Sequence, residues 1–177
     1  MEMGRKALII TGKNVQDHEF IYPYYRLKEA GYEVLVALKD KQITTGIFET
    51  KIPCDDKCEI ISYEELEWAE KEYNPEILIL PGGAKCMEYL RQEKIVLDFI
   101  NNWNKQGKLI GSICHGAQLL ISAKVVKGRI IAGYYSIKDD ILNAGADYCD
   151  GVVVSENIVS ASHYKYLGEW MLSILNL

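Results

Sequence analysis

Short, nearly unbroken apolar runs alternate along this chain with longer amphipathic stretches. "KALIIT" (6–11), "YEVLVAL" (32–38) and "EILILPGG" (76–83) are apolar runs of strand length, the pattern of parallel strands buried on both faces. Lys108–Ile113 predicts a further short strand of the same kind. Between these runs the spacing predicts helices. One extends from Asp17 to Ala30, with Asp17 as its cap, Pro23 near its first turns and Gly31 at its stop. "SYEELEWAEKEY" opens with the capping box Ser62-x-x-Glu65 and predicts a short exposed helix ending before Pro75. "EKIVLDFINNWNKQ" predicts a helix with Ile95, Phe99 (or Ile100) and Trp103 on one side, ended by Gly107. Gly116–Ala123 predicts another.

The remaining segments are less regular. "ITTGIFETKIP" alternates β-branched and polar residues and predicts a small extended excursion on the edge of the sheet. From Gly128 onward the pattern predicts a strand, a helix capped by Ser136 and a hairpin around Glu156-Asn157. A closing helix would carry Tyr164, Leu167, Met171 and Leu175 on one stripe. Strand and helix in alternation, with short glycine-marked connections, predict an α/β three-layer sandwich: a mainly parallel sheet with helices on both faces. No repeat, low-complexity segment or linker interrupts the pattern, so residues 1–177 are expected to form a single domain.

Charge and composition narrow the possible functions. A net charge of −5 without any basic run disfavours nucleic acid and an anionic membrane surface as partners. No stretch approaches the ~18 apolar residues of a membrane span, and "MEMGRKALIITG" lacks the features of a secretory signal. The expected location is cytoplasmic. Five scattered cysteines (Cys54, Cys58, Cys86, Cys114 and Cys149) fit free thiols in a reducing compartment. Cys54 and Cys58 form a lone C-x3-C with no second pair and are expected to lie in a loop, so neither a metal nor a cofactor is expected.

The chemistry concentrates in "KLIGSICHGAQL" (108–119). A strand gives way to a helix here with only Cys114-His115-Gly116 between them. In parallel α/β sheets, ligands bind beyond the carboxyl ends of the strands. A nucleophile on such an elbow projects away from the sheet, with Gly111 and Gly116 flanking it. The amides opening the next helix would favour a thiolate. Pro81-Gly82-Gly83 ends another buried strand on the same rim. The N–H groups of Gly83 and His115 are natural donors for an oxyanion. Glu19, just past the first strand, could face the same rim. Consecutive side chains at a tight turn tend to diverge, which counts against a simple Cys114–His115 dyad. Asp17-His18-Glu19 cannot converge on a metal from adjacent helical positions, and Asp139-Asp140 reads as the start of a solvated helix.

"EFIYPYYRLKEAGYEV" (19–34), "ILILPGG" (77–83), "ICHGAQLL" (113–120) and "YSIKDDILNAGADYCD" (135–150), in this order, resemble the PfpI-like intracellular protease/amidase branch of the DJ/ThiJ/PfpI superfamily. The resemblance implies a flavodoxin-like sandwich and a cysteine site at the elbow. It also implies a homo-oligomer acting on a peptide or small-molecule substrate, as a peptidase, deglycase or glyoxalase. It places His115 in a triad whose third member, matching Glu93, comes from a neighbouring subunit. It puts Glu19 beside the sulfur as a proton-holding group. The substrate-facing positions depart from the pattern: Ser162-His163-Tyr164-Lys165 stands where relatives carry an arginine–x–proline sequence after serine, and Gln16 where they often have an acid. The alternative is a non-enzymatic stress or chaperone protein that senses oxidants through Cys114. A glutamine amidotransferase fits less well, because His163 is not followed by the usual His-x-Glu spacing.

Overall fold

The computed structural model describes residues 4–177. Its elements, in chain order, are β1 (Arg5–Ile10), α1 (Asp17–Glu29), β2 (Tyr32–Ala37), β3 (Thr44–Thr45), β4 (Lys51–Ile52), β5 (Glu59–Ile61) and α2 (Leu66–Trp68). There follow β6 (Ile77–Leu80), α3 (Ala84–Leu90), α4 (Lys94–Lys105), β7 (Leu109–Ile113) and α5 (Ala117–Ser122). The chain ends with β8 (Ile130–Ala132), α6 (Lys138–Asn143), β9 (Asp147–Cys149), β10 (Val152–Ser155), β11 (Ile158–Ala161) and α7 (Leu167–Leu175).

A seven-stranded sheet in the order β10-β11-β7-β6-β1-β2-β5 forms the middle layer. Every pairing is parallel except the β10–β11 hairpin at one edge. The apolar runs explain the central position of β1 and β6: Ala7–Ile10 and Leu78–Leu80 are fully buried and need cover on both sides. Helices supply it in two groups, α1 packing with α7, and α4 with α2 and α5. Two buried tryptophans anchor these helices by their side-chain N–H as well as by area. Trp103 Nε1 donates to Leu109 O (3.1 Å) and Trp170 Nε1 to Val159 O (3.0 Å). Their polar edges are satisfied, so each ring delivers its hydrophobic contribution without an orphaned donor.

The α/β sandwich and the hairpin at Glu156-Asn157 match the sequence expectation; several local details differ. The edge of the main sheet is β5, in a segment with no strand expected, while the excursion at 43–53 pairs only with itself as β3–β4. Helix α3 was not anticipated; seven residues after a glycine pair carry too little periodicity to read. In α4 the buried stripe is Val96, Phe99, Ile100 and Trp103, with Ile95 turned to solvent. In α7 it is Leu167, Trp170, Met171 and Ile174, not Tyr164 and Leu175. β8 and β9 pair with each other outside the main sheet.

Three caps also differ from or extend the expectation. Gln16, not Asp17, caps α1, its Oε1 accepting from Glu19 N at 3.3 Å. Asp17 turns away from the helix and accepts the backbone N–H of Phe48 (2.9 Å) and Thr50 (3.2 Å), tying down the β3–β4 excursion. Ser136 lies in a short turn before α6 and does not cap it. The Ser62–Glu65 box does form, Ser62 N donating to Glu65 Oε2 at 2.8 Å.

Candidate active site

The turn between β7 and α5 holds Cys114 at φ 58°, in the left-handed region that non-glycine residues seldom occupy. Surrounding structure enforces this conformation. Tyr134 N donates to Cys114 O at 3.2 Å, and Gly116 lies so close under β6 that a Cβ there would sit 2.4 Å from Leu80 O. Such over-determined strain is characteristic of working sites. The turn aims the sulfur at the end of β6, where Pro81-Gly82-Gly83 passes. The backbone N–H groups of His115 and Gly83 lie near enough to favour charge on it.

Glu19 reaches the same point from the first turn of α1. It is fully buried, and its Oε1 accepts the Gly82 N–H at 2.9 Å. Oε2 is buried without a hydrogen-bond partner, and the Cys114 thiol acts on the carboxyl as a neighbouring donor. Gly82 is obligatory for this contact, since a Cβ would lie 2.6 Å from Oε1 and 2.9 Å from His115 N.

Burial pushes the Glu19 carboxyl up to about 8, against the opposing pull of the Gly82 N–H and of the thiol contact. Burial also raises the Cys114 thiol, the charge of Glu19 adds to it, and the N–H groups of His115 and Gly83 pull it down. The thiolate favoured by a helix N-terminus, as the sequence suggested, is therefore not the resting state of an isolated sulfur, because desolvation outweighs the amides. The two groups bind protons as a pair, and a neutral Glu19 is the acid that can hand a proton to whatever forms on the sulfur.

His115 turns back toward the cysteine despite being its neighbour in sequence. Nδ1 stands 3.4 Å from Sγ, and Nε2 stands 3.4 Å from Ser136 Oγ. The left-handed φ at Cys114 lets the two side chains meet. Burial holds the imidazole below its usual range, so it is neutral near pH 7. Cys114, Glu19, His115, Gly82, Gly83 and Gly116 thus gather in one place. Glu93 does not join them within the chain: it caps α4, and its carboxylate accepts from Lys39 Nζ at 2.6 Å. Sequence reasoning missed Ser136 and Tyr134 as neighbours of His115. No local pattern marks them, and only the packing of the 133–137 loop against the elbow does.

The matching family model is that of the DJ-1/PfpI family, over residues 5–177. The chain belongs to the DJ-1/PfpI family. It is 36% identical over 173 residues to Deglycase PfpI of Pyrococcus furiosus, covering 97% of this chain and 98% of that protein. It is 32% identical to the putative cysteine protease YraA of Bacillus subtilis, covering 99% of each. Among solved structures, it resembles a two-domain protein with DJ-1/ThiJ/PfpI-like and ferritin-like domains from Anabaena variabilis, with a TM-score of 0.86 at 28% identity. That match covers 97% of this chain and 47% of the other. Drosophila melanogaster DJ-1beta shares the fold with a TM-score of 0.84 at 24% identity, covering 98% and 90%. Like these DJ-1/PfpI proteins, the chain has a flavodoxin-like sandwich, and its relatives' names point to cysteine-type deglycase or protease-like chemistry.

Proposed function

We propose that this DJ-1/PfpI protein is a cysteine-dependent deglycase-type enzyme that converts 2-oxoaldehydes, and their adducts with amines, into 2-hydroxy acids. The observation that carries this reading is the buried Glu19 carboxyl, fixed through Oε1 by the Gly82 N–H in the immediate neighbourhood of the Cys114 thiol, with Oε2 left without a partner. Peptide hydrolysis needs a base for water and an acid for an amine; a neutral carboxyl against the sulfur suits proton movement between adjacent carbons better.

In the first step His115 Nδ1 takes the proton of the Cys114 thiol and the sulfur adds to the aldehyde carbon. A C–S bond forms, the carbonyl π pair moves to oxygen, and that oxygen takes the Glu19 proton. The Gly83 and His115 N–H groups, which favour charge on the sulfur, would serve as the donors for that oxygen as charge develops on it. With an amine adduct, the C–N bond breaks instead, and the amine leaves with the Glu19 proton. Glu19, now a carboxylate, removes the hydrogen on the same carbon, and the electron pair forms an enediol with the neighbouring carbonyl carbon. Return of that proton to the second carbon, with transfer of the first hydroxyl's proton to the second oxygen, gives a thioester. Water cleaves the thioester, releasing the 2-hydroxy acid and the thiol. Overall, aldehyde plus water gives the acid, with no oxidant or cofactor.

His115 acts as the neutral base that readies the thiol or the hydrolytic water, with Ser136 fixing its ring. This set is complete within one chain, so a neighbouring subunit's Glu93 is not required for the step. A homo-oligomer in a reducing cytoplasm remains part of the reading; all five cysteines are free. Incubation with methylglyoxal, and with its adduct on an amino acid amide, should release lactate and free amine, and Cys114→Ser and Glu19→Gln should abolish both. Unimpaired turnover by Cys114→Ser would overturn the proposal.

A further inference from the structure

All three histidines of the chain lie in one continuous series of aromatic contacts that starts at the cysteine. His115, 3.4 Å from Sγ, packs on Tyr134 with ring centroids 4.8 Å apart. Tyr134 stacks on His163 (5.9 Å), and tilted ring contacts continue from His163 to Tyr164 (4.0 Å) and from Tyr164 to His18 (5.4 Å). These rings come from four distant segments, so local sequence proximity does not account for the series. Tyr134 and His163 are half-buried, and Tyr164 is 43% exposed, so the series keeps ring surface open to solvent while its first ring, His115, touches the sulfur.

The charge around this wall is low. Burial keeps His115 and His163 below the usual imidazole range. The nearest flexible cation on the same segment, Lys165, lies over the Tyr166 ring, and Asp150 is engaged by Ser162 at 2.6 Å. No arginine takes part in these ring contacts among the described residues. A carboxylate on the substrate would find no arginine fork here, only Lys165 on its flexible stem, and would lie near Glu19 once that group has given up its proton. A flat apolar substituent would find ring faces to stack on.

We propose that the rings of Tyr134, His163 and Tyr164 form the substituent-binding wall of the Cys114 site, selecting 2-oxoaldehydes with an aromatic or apolar planar group over those bearing a carboxylate. This rests on the reading of the site as an aldehyde-processing one. It gives His163 and Tyr164 a task as determinants of specificity.

Two measurements separate the wall from the chemistry. In turnover, kcat/KM for phenylglyoxal should exceed that for methylglyoxal by roughly tenfold, the size expected of one or two aromatic contacts, and 4,5-dioxopentanoate, a 2-oxoaldehyde that bears a carboxylate, should be the poorest of the three. Tyr164→Ala, an exposed position, and His163→Ala should each bring the phenylglyoxal-to-methylglyoxal ratio down several-fold. His163→Arg should raise the relative use of 4,5-dioxopentanoate. Independently of catalysis, the alkylation of Cys114 by phenacyl bromide and by bromoacetone is followed by mass spectrometry, each rate divided by that of free cysteine. The aromatic reagent should be favoured in the wild type, and less so in Tyr164→Ala. Equal normalised labelling rates, or a ratio unchanged by both alanine variants, would overturn the wall. Absence of turnover with all three aldehydes, alongside an intact and Tyr164-dependent labelling preference, would overturn the proposed reaction while supporting the wall.

Discussion

Gly82 and Glu19 fit together through a single contact that serves both residues: the Gly82 N–H donates to Oε1 at 2.9 Å, and a Cβ on residue 82 would fall 2.6 Å from that oxygen. The same Cβ would lie 2.8 Å from Ile113 O and 2.9 Å from His115 N. Two of these atoms are backbone and cannot yield, so Gly82→Ala must displace the strand end or the carboxyl. We expect a loss of roughly 1–3 kcal/mol in urea denaturation, the usual cost of overpacking, with loss of turnover beyond what stability explains.

Glu19 should make stability fall with rising pH. Its ordinary value is 4.5 and burial raises it to about 8 in the folded protein, so between these values the unfolded chain is ionised while the folded one keeps its proton. The folded state then binds more protons, and stability declines as pH rises through that window and is flat above it. The gap sets a ceiling of roughly 5 kcal/mol at 1.36 kcal/mol per pKa unit. Glu19→Gln keeps an acceptor for Gly82 and removes the titration. Its Tm should therefore overtake that of the wild type between pH 5 and pH 8, and parallel curves would contradict a raised carboxyl.

Cys114 occupies its left-handed backbone at a cost, and that cost is open to measurement. At φ 58° an alanine carries the same penalty as the cysteine, whereas glycine does not. Cys114→Gly should be more stable than Cys114→Ala by about 1 kcal/mol, although both are inactive. The reverse order in thermal denaturation would show that the elbow is not strained.

Asp17 holds the β3–β4 excursion by two backbone N–H groups while nearly fully buried. Asp17→Ala leaves both donors unpaired and should cost roughly 1–3 kcal/mol. The 46–50 segment should become the first site of limited proteolysis, with cleavage mapped by mass spectrometry. An unchanged cleavage pattern would assign the loop's order to other contacts.

Glu93 should tolerate substitution. Its partner in the chain is Lys39, in a pair exposed to solvent on the lysine side, and such pairs contribute about 0–1 kcal/mol. Glu93→Gln is expected to keep kcat within about twofold on that basis. A tenfold or larger fall, dependent on oligomer formation by light scattering, would instead establish a trans acid for His115.

The sequence by itself determined the α/β architecture, because strands covered on both faces must be apolar throughout and helices covered on one face cannot be. It also determined where the nucleophile stands: an apolar strand running straight into "CHG" and a helix leaves a cysteine at the carboxyl end of a buried strand. Gly82 and Gly116 were readable as glycines at turns, though not the atoms that forbid them a side chain. Tertiary structure alone decided how the residues meet. His115 reaches the sulfur because Cys114 adopts a positive φ, a conformation that ordinary local preferences oppose and that the packing of β6 and the 133–137 loop imposes. Glu19, 95 positions before the cysteine, becomes its proton-holding neighbour because β1 and β7 flank β6 in the sheet and α1 starts beside the end of that strand. The balance of charge was likewise out of reach of sequence. A helix start argues for a thiolate, but burial of both groups in the same small space outweighs the amides, and the same burial gives Glu19 the proton-holding state that the family resemblance implied.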